Sequence, residues 1–535
     1  MRDRSNSGMV GPENSASVSS RQIAMMQNTL DGLGRGWRRG ALELDRQRYW
    51  FLLALSALFF ATAVLRARAT PFWHDEIYTL LLSRLPTVRD VWRATRDGAD
   101  LMPPLNLFLT RALEAITGPG PVSARLPAML GFWTMSMVVF TLVRARSNVF
   151  IAWAAALLPW FTQGYRYSYE ARSYGVMLGL FALLLWSWSE AAHGHRRRLW
   201  LPVFAVVCAA TMWNHYFAAV TFVPVAAGEL YRLVRTKSAD WPLWIAGAAG
   251  FACCAPLVSI VRHASAQGTT YWRHATWVDV GDTYWFLFHN IWSIDRWVIA
   301  LLAGAIAIGF ASARFGLPPA IAPGHEVVAG VVALGIPAMT VALGRLTGGF
   351  SPRYALAGVV SFALIAPLGV WWLSRRSPAL EGVLLVLLTI GVVQPSIDLF
   401  RHPMAFHDPI DGRPLLTEQL RASPPVVVAG AVQFLQLWYY APPDLRSRLW
   451  YVADPSRAQQ YLGWDTADRG YVKLARWTPL GIRTYEQLAN QRSFTLYDNG
   501  LGWLPAQLRD AGAVVTDSAR ERDARISRVA MSEGR

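Results

Sequence analysis

Long apolar runs separated by short polar segments fill most of the chain between residues 49 and 398. They fall near 49–66, 125–143, 149–164, 174–192, 199–214, 217–232, 241–261, 296–312, 326–344, 354–373 and 380–398. Each is close to the ~20 residues that a helix needs to cross a bilayer core. The pattern therefore predicts eleven transmembrane helices, give or take two, since runs such as 149–164 and 199–214 are short. The first 48 residues are polar and rich in Ser and Arg, with no cleavable signal peptide visible. The first run is accordingly expected to be an uncleaved anchor following a cytoplasmic segment, 1–48.

The short loops alternate in charge. With the N-terminus inside, one set carries Arg35, Arg38, Arg39, Arg46 and Arg48; Arg144 and Arg146; Arg196, Arg197 and Arg198; Arg235 and Lys237; Arg314; and Arg375 with Arg376. Basic short loops mark the cytoplasmic side. The segments 67–124, 165–173, 215–216, 262–295, 345–353 and everything after 399 are then expected outside. Arg66, Arg68 and several arginines in 84–111 lie on that side too, but long loops follow the charge rule poorly.

After residue 399 the period changes. Strand-like runs at Val426–Ala429, Leu449–Ala453, Val472–Ala475, Phe494–Tyr497 and Val514–Thr516 alternate with helix-like stretches at 431–440, 455–462, 483–491 and 503–511. This alternation predicts a small α/β domain over 399–517 with a largely parallel sheet. It holds no glycine-rich phosphate loop, so no nucleotide cofactor is expected. The charged tail 518–535 reads as disordered. The predicted fold is a polytopic α-helical membrane protein, 49–398, with a C-terminal α/β domain on the outer face.

Composition narrows the classes. Of 535 residues, 53% are hydrophobic and 16% charged, against roughly 25% charged in ordinary soluble domains. A mainly soluble or disordered chain is excluded. A mean hydropathy of +0.25 fits apolar and polar stretches side by side. The three cysteines, Cys208, Cys253 and Cys254, lie in apolar runs and give neither a disulfide framework nor a zinc-finger spacing. The net charge of +16 comes almost wholly from arginine, with Lys237 and Lys473 the two lysines. Those arginines are scattered between apolar runs as topology signals, so no nucleic-acid partner is expected. Arginine together with abundant Ala, Gly and Pro suggests a GC-rich bacterial genome.

Candidate chemistry gathers in the outer segments. Loop 67–124 opens with Pro71-Phe72-Trp73-His74-Asp75-Glu76-Ile77-Tyr78, two adjacent carboxylates just beyond the first run. Acidic groups at a membrane boundary are costly to desolvate and are often functional; a solvated acid pair within an aromatic belt is the plain alternative. Met102-Pro103-Pro104-Leu105 precedes an apolar-faced stretch, 105–117, with Arg111 and Glu114, expected to lie in the interface. Arg125-Leu126-Pro127 starts the next span. The following outer loop, Tyr165 to Tyr174, carries Glu170 and Arg172 among four tyrosines; a local ion pair would account for these two equally well. Asn214-His215-Tyr216 marks a further turn, and a lone histidine there is more often structural than a ligand. Arg345 and Gly348-Gly349-Phe350-Ser351-Pro352-Arg353-Tyr354 close a fourth loop. Arginine suits phosphate through its planar fork of donors, whereas an arginine that only snorkels to the interface is the ordinary reading. Asp75, Glu76, Glu170, His215, Arg345 and Arg353 come from distant parts of the chain, yet the loop charges place all of them on one face of the membrane.

The Asp-Glu pair after the first span, the Pro-Pro-Leu interface helix, the Arg-Leu-Pro start of the second span, Glu170-Ala171-Arg172-Ser173-Tyr174 and the late Phe350-x-x-Arg353-Tyr354 together resemble one superfamily. It is the GT-C glycosyltransferases, in particular the protein O-mannosyltransferase and ArnT-like aminoarabinose transferase group with its RgtA/B/C/D-like relatives. The resemblance spans roughly residues 45–400, the later spans by hydropathy more than by sequence. It implies transfer of a hexose or pentose, with inversion, from a polyprenyl-phosphate carrier to an acceptor hydroxyl on a glycan, lipid or protein. Asp75 would be the general base, and Glu76 would orient it or bind acceptor or metal. Glu170 stands near the family's second acidic group, but in a different local pattern. Arg353 and Tyr354, with Arg345 in reserve and Arg172 nearby, would hold the lipid phosphate. His215 would bind a metal or the phosphate. Some members need a divalent cation and others do not, so a cation stays open. The expected location is the bacterial inner membrane, with the active site outside. A flippase for a lipid-linked glycan would favour mid-membrane charges and repeats, which are not seen. A non-catalytic envelope-glycan assembly protein would leave the Asp-Glu pair dispensable.

Overall fold

A computed structural model describes residues 36–531 except 38, 195, 266–267, 290–323, 374–377 and 423–424. Helical segments coincide with ten of the eleven expected runs; the run at 296–312 lies outside the described residues, as do most of 1–48 and Arg314, Arg375 and Arg376. In chain order the main helices are α1 (Arg48–Ala69), α2 (His74–Ser83), α3 (Val88–Arg96), α4 (Leu105–Thr117), α5 (Pro121–Arg144), α6 (Val149–Leu157), α7 (Ser173–His193) and α8 (Arg197–Asn214). They are followed by α9 (Phe222–Thr236), α10 (Trp241–Ala252), α11 (Ala255–Ser265), α12 (Asp279–Phe288), α13 (His325–Ala333), α14 (Ile336–Thr347), α15 (Gly358–Leu373) and α16 (Pro378–Arg401).

Five described helices are long and apolar enough to cross a membrane, or up to seven if each bent pair counts as one span. The chain is thus a multi-pass membrane protein by its helices, with fewer full-length spans among the described residues than the eleven expected. Proline explains part of the difference. After the nine buried residues of α6, the chain tightens into a 3₁₀ turn, Leu158–Phe161, that contains Pro159. A proline ring removes a helical donor and clashes with the preceding turn, so 149–164 is a buried core helix with a broken end. The α10–α11 pair bends by 42° and the α13–α14 pair by 56°, with Pro256 and Pro337 each second in the later helix.

Helix α5 packs most closely on α7. A Cβ built on Gly179 would stand 2.6 Å from the Gly131 carbonyl oxygen, and one on Gly175 would meet the Ala128 backbone. Small residues at such a seam let two backbones touch, which is the main source of helix attraction where lipid removes the hydrophobic drive. This contact matters for the site, because α5 begins near Arg125 and α7 begins just after Arg172.

The C-terminal region forms a six-stranded sheet: β1 (Val426–Val428), β2 (Leu449–Val452), β3 (Ile482–Arg483), β4 (Ser493–Asp498), β5 (Val514–Glu521) and β6 (Ala524–Ala530), in the order β3-β2-β1-β4-β6-β5. The first four strands of that order are parallel, and β6 and β5 add antiparallel. Two expectations fail here. Val472–Ala475 is not a strand, since Val472 to Leu474 close a helix, Thr466–Leu474, with Tyr471 and Leu474 buried and Val472 and Lys473 on its outer side. The charged tail is not disordered through its described part. Residues 514–530 form a hairpin in which Ala524, Ile526 and Val529 are buried while Arg525 and Arg528 are exposed. Alternation of apolar and charged positions is what a half-buried strand requires, and the high charge masked it.

Candidate active site at the start of helix α2

Four residues, Thr70 to Trp73, turn the chain from α1 into α2. Asp75 and Glu76 fall in the first turn of α2, where exposed N–H groups and the helix dipole favour negative charge. The C-terminal domain grips this turn. Phe72 N–H donates to Tyr440 Oη at 2.7 Å, and Gln436 Nε2 donates to the Phe72 carbonyl at 3.0 Å. Tyr471 stacks on Tyr78 one turn into α2, with ring centroids 5.8 Å apart.

The two adjacent carboxylates then part company. Glu76 is 1% exposed and meets Arg125 as a fork, Nε to Oε1 and Nη2 to Oε2, both at 2.7 Å. Oε1 also accepts the Ala171 N–H at 2.7 Å, and Oε2 accepts the Trp73 N–H at 3.3 Å. Four donors fill the four lone-pair sites of a carboxylate. Arg125 is equally enclosed, donating further to the carbonyls of Ala67, Thr70 and Pro71. Glu76 therefore ties the α1–α2 turn, α5 and the 165–172 segment together. It has no oxygen to spare for acceptor or metal, so the expected binding role is replaced by a structural one.

Asp75 faces a different group. Its Oδ2 lies 2.9 Å from Arg353 Nη2 and its Oδ1 3.0 Å from His74 Nδ1. Burial would raise its pKa, but Arg353, His74 and Arg172 outweigh burial and hold the carboxyl well below the usual range. Asp75 is thus an anion at any physiological pH. Arg172 donates from Nη1 to the Asp75 carbonyl and to Thr79 Oγ1, and pairs with Asp100 Oδ2 at 3.4 Å. The guanidinium of Arg353 also sits over the rings of Trp73 and Tyr174, at 5.3 and 5.6 Å from their centroids.

Glu170 is buried beside this cluster. Burial, and then the negative charge of Glu76, push its carboxyl up to about 8, with Arg353 and Arg172 only partly offsetting them. Its Oε1 has no hydrogen-bond partner, and neither do Arg353 Nε, Arg172 Nε or Tyr174 Oη. Unpaired polar atoms are rare in protein interiors, and here several gather around one ion pair. Tyr354 closes the far side, its ring 5.1 Å from His215 and 6.5 Å from Tyr174.

Two expected residues have other duties. Arg345 is exposed on α14 and lies over the Trp277 ring at 5.1 Å, outside the ion-pair network around Asp75. His215 is fully buried, and burial with Arg172 and Arg353 holds its pKa down to about 3, so the ring is neutral. Its Nδ1 accepts the Phe217 N–H at 3.1 Å, which places the ring proton on Nε2. Nε2, which has no partner, is then a donor rather than a metal ligand. The one set of His, Cys, Asp or Glu able to hold an ion among the described residues is His193, His325 and Glu326, far from His215.

Arg125, Asp100, Thr79, Trp73 and Tyr174 had no assigned role in the sequence. Arg125 stood in view within Arg-Leu-Pro, but its partner is 49 positions away, and no local pattern links the two.

No protein-family model matches the sequence, and no curated protein matches it. The fold is similar to that of ArnT from Cupriavidus metallidurans bound to undecaprenyl phosphate, with a TM-score of 0.50 over 90% of this chain and 97% of that one at 12% identity. The apo state of the same ArnT aligns with a TM-score of 0.44 at 13% identity, over 90% and 98% of the two chains. The chain has a GT-C-like fold.

Proposed function

We propose that this chain is a membrane glycosyltransferase that moves a sugar from a polyprenyl-phosphate carrier to an acceptor hydroxyl, with inversion, at the outer face of the bacterial inner membrane. The observation that carries the reading is the Asp75–Arg353 pair at 2.9 Å, within a cluster of unpaired polar atoms. A carboxylate able to act as base and an arginine able to hold phosphate lie side by side there, which supports such a reaction. The similarity to a fold whose ArnT example binds undecaprenyl phosphate supports the donor class.

In this reading the carrier phosphate draws Arg353 toward its own oxygens. A planar fork grips two of them at once. Asp75 then loses the neighbour that suppresses its basicity and accepts the proton of the acceptor hydroxyl. The hydroxyl oxygen attacks the anomeric carbon from the face opposite the phosphate. The carbon–oxygen bond to phosphate breaks, and the phosphate leaves with its charge held by Arg353. Tyr174 Oη, His215 Nε2 and the neutral carboxyl of Glu170 are the remaining donors turned toward the substrate. No step runs through a metal, because the donor set around Asp75 does not fit one.

Purified protein with a polyprenyl-phosphate sugar and a membrane glycolipid or glycan acceptor tests this. Wild type should release polyprenyl phosphate. Asp75→Asn keeps the shape but removes the base, and turnover should fall by about 10²–10⁴-fold while the protein stays folded in detergent. Normal turnover in Asp75→Asn would remove the base assignment. No release of polyprenyl phosphate from any such donor would remove the reaction itself.

A further inference from the structure

We propose that His193, His325 and Glu326 bind one divalent transition-metal ion of the zinc type, at the end of the helix bundle opposite Asp75. Helix α7 starts at the site just described and ends at His193. Its length places His193 roughly 30 Å from the Asp75 cluster, at 1.5 Å per residue.

The ligating atoms of the three side chains all lie within 4.8 Å of one another. The Nε2 atoms of His193 and His325 are each 3.3 Å from Glu326 Oε1. Tetrahedral zinc with bonds of about 2.0–2.1 Å sets its ligand atoms about 3.3–3.4 Å apart. The two histidine–carboxylate spacings are of that size, and the third separation is within 4.8 Å.

The protonation pattern agrees. His193 Nδ1 donates to the Ser189 carbonyl at 2.8 Å, which turns the Nε2 lone pair toward Glu326. A backbone carbonyl on the far ring nitrogen is the usual way a metal-binding histidine is oriented. His325 Nε2 is buried and makes no hydrogen bond despite its closeness to the carboxylate. A bound cation satisfies that nitrogen. Arg146 Nη2 at 2.7 Å and Ser189 Oγ at 3.0 Å hold the same carboxylate from outside, as outer-shell donors hold a ligating acid. Both donors end on Oε1, so the metal bond falls to the lone pairs of Oε2.

Two imidazoles and a carboxylate leave one tetrahedral position open. Glu326 also lines a cavity of about 30 Å³, with Arg146 and Ser189 beside it and Leu142, Trp188 and Leu364 along its walls. That volume takes a water molecule, which completes the coordination. The ion joins the last turn of α7 to the first turn of α13, two helices that the chain connects only through a long intervening segment.

Full-length protein in detergent, stripped with a chelator and desalted, is titrated with zinc chloride, and the bound metal is counted by mass spectrometry. One zinc per chain is expected, with affinity reduced at least tenfold in His193→Ala and in His325→Ala. Wild-type binding below one equivalent, or the same affinity in both variants, overturns the site. X-ray absorption of zinc-loaded wild type covers the case in which a variant fails to fold. Two imidazoles and oxygen ligands at about 2.0–2.2 Å are expected, and a spectrum without imidazole overturns the proposal.

Discussion

Glu76→Gln should unfold this protein more readily while sparing the chemistry, although its neighbour Asp75 is proposed to do the reverse. The glutamine has nearly the same shape, so the loss is electrostatic. Its amide oxygen can accept two of the four donors that now converge on Glu76, namely Arg125 Nε and Nη2, Ala171 N–H and Trp73 N–H. Two donors are left without a partner, and the new amide N–H groups point at other donors. Arg125 keeps its full charge at no measurable exposure. Removing one partner of a buried ion pair typically costs about 3–5 kcal/mol. The carbonyls of Ala67, Thr70 and Pro71 still face the guanidinium, so the lower end of that range, about 3 kcal/mol, is expected. If the loss falls mainly on the unfolding barrier, the half-life at a fixed high temperature shortens by on the order of 10²-fold. The assay is time-resolved loss of folded protein in detergent at several temperatures, beside transfer activity measured well below the unfolding range. Activity per folded molecule should stay within a few-fold of wild type. A Glu76→Gln protein as long-lived as wild type, with transfer lost as fully as in Asp75→Asn, would refute the structural role and put Glu76 in the reaction.

Arg353→Lys should lower turnover with polyprenyl-phosphate sugar by roughly 2–4 kcal/mol of transition-state stabilisation, by analogy with losing one oxyanion donor. An ammonium cannot reproduce the two-pronged grip, and unchanged rates would reduce Arg353 to an interface anchor. Glu170→Gln should stabilise the protein in a pH-dependent way. The folded-state pKa of Glu170, about 8, lies above the ordinary 4.5, so the folded chain holds a proton that the unfolded chain has released. That lowers wild-type stability progressively as pH rises from about 4.5 to 8, by roughly 3 kcal/mol at pH 7. The variant's advantage should therefore be large at pH 8 and vanish near pH 4, and a constant difference across that range would show that burial does not hold the proton. Labelling from outside should reach a cysteine placed at 460 and miss one at 197, following the basic bias of the loops; the opposite pattern would invert the orientation.

The membrane class and the helical positions follow from local composition, because a bilayer demands long apolar helices whatever their neighbours. The alternating strands and helices after residue 399 are legible from their local periodicity, except where charge hid the hairpin beyond residue 517 and a helical Val472–Leu474 read as a strand. The Asp-Glu pair was visible as a pair. Only the folded chain separates it, because successive residues on a helix point about 100° apart and so meet different surroundings. One carboxylate reaches Arg125 from α5 and becomes an enclosed tie; the other reaches Arg353, nearly 280 positions along the chain, and remains open to chemistry. The same logic removes Arg345, drawn to Trp277, and makes His215 a neutral donor through its contact with Phe217. It also assembles His193 with His325 and Glu326, whose convergence leaves no periodic trace. Which residues exist and which segments enter the membrane is set by short-range chemistry. Which of them share a charge, a proton or an ion is set by helix packing across long sequence separations, and only the tertiary structure decides it.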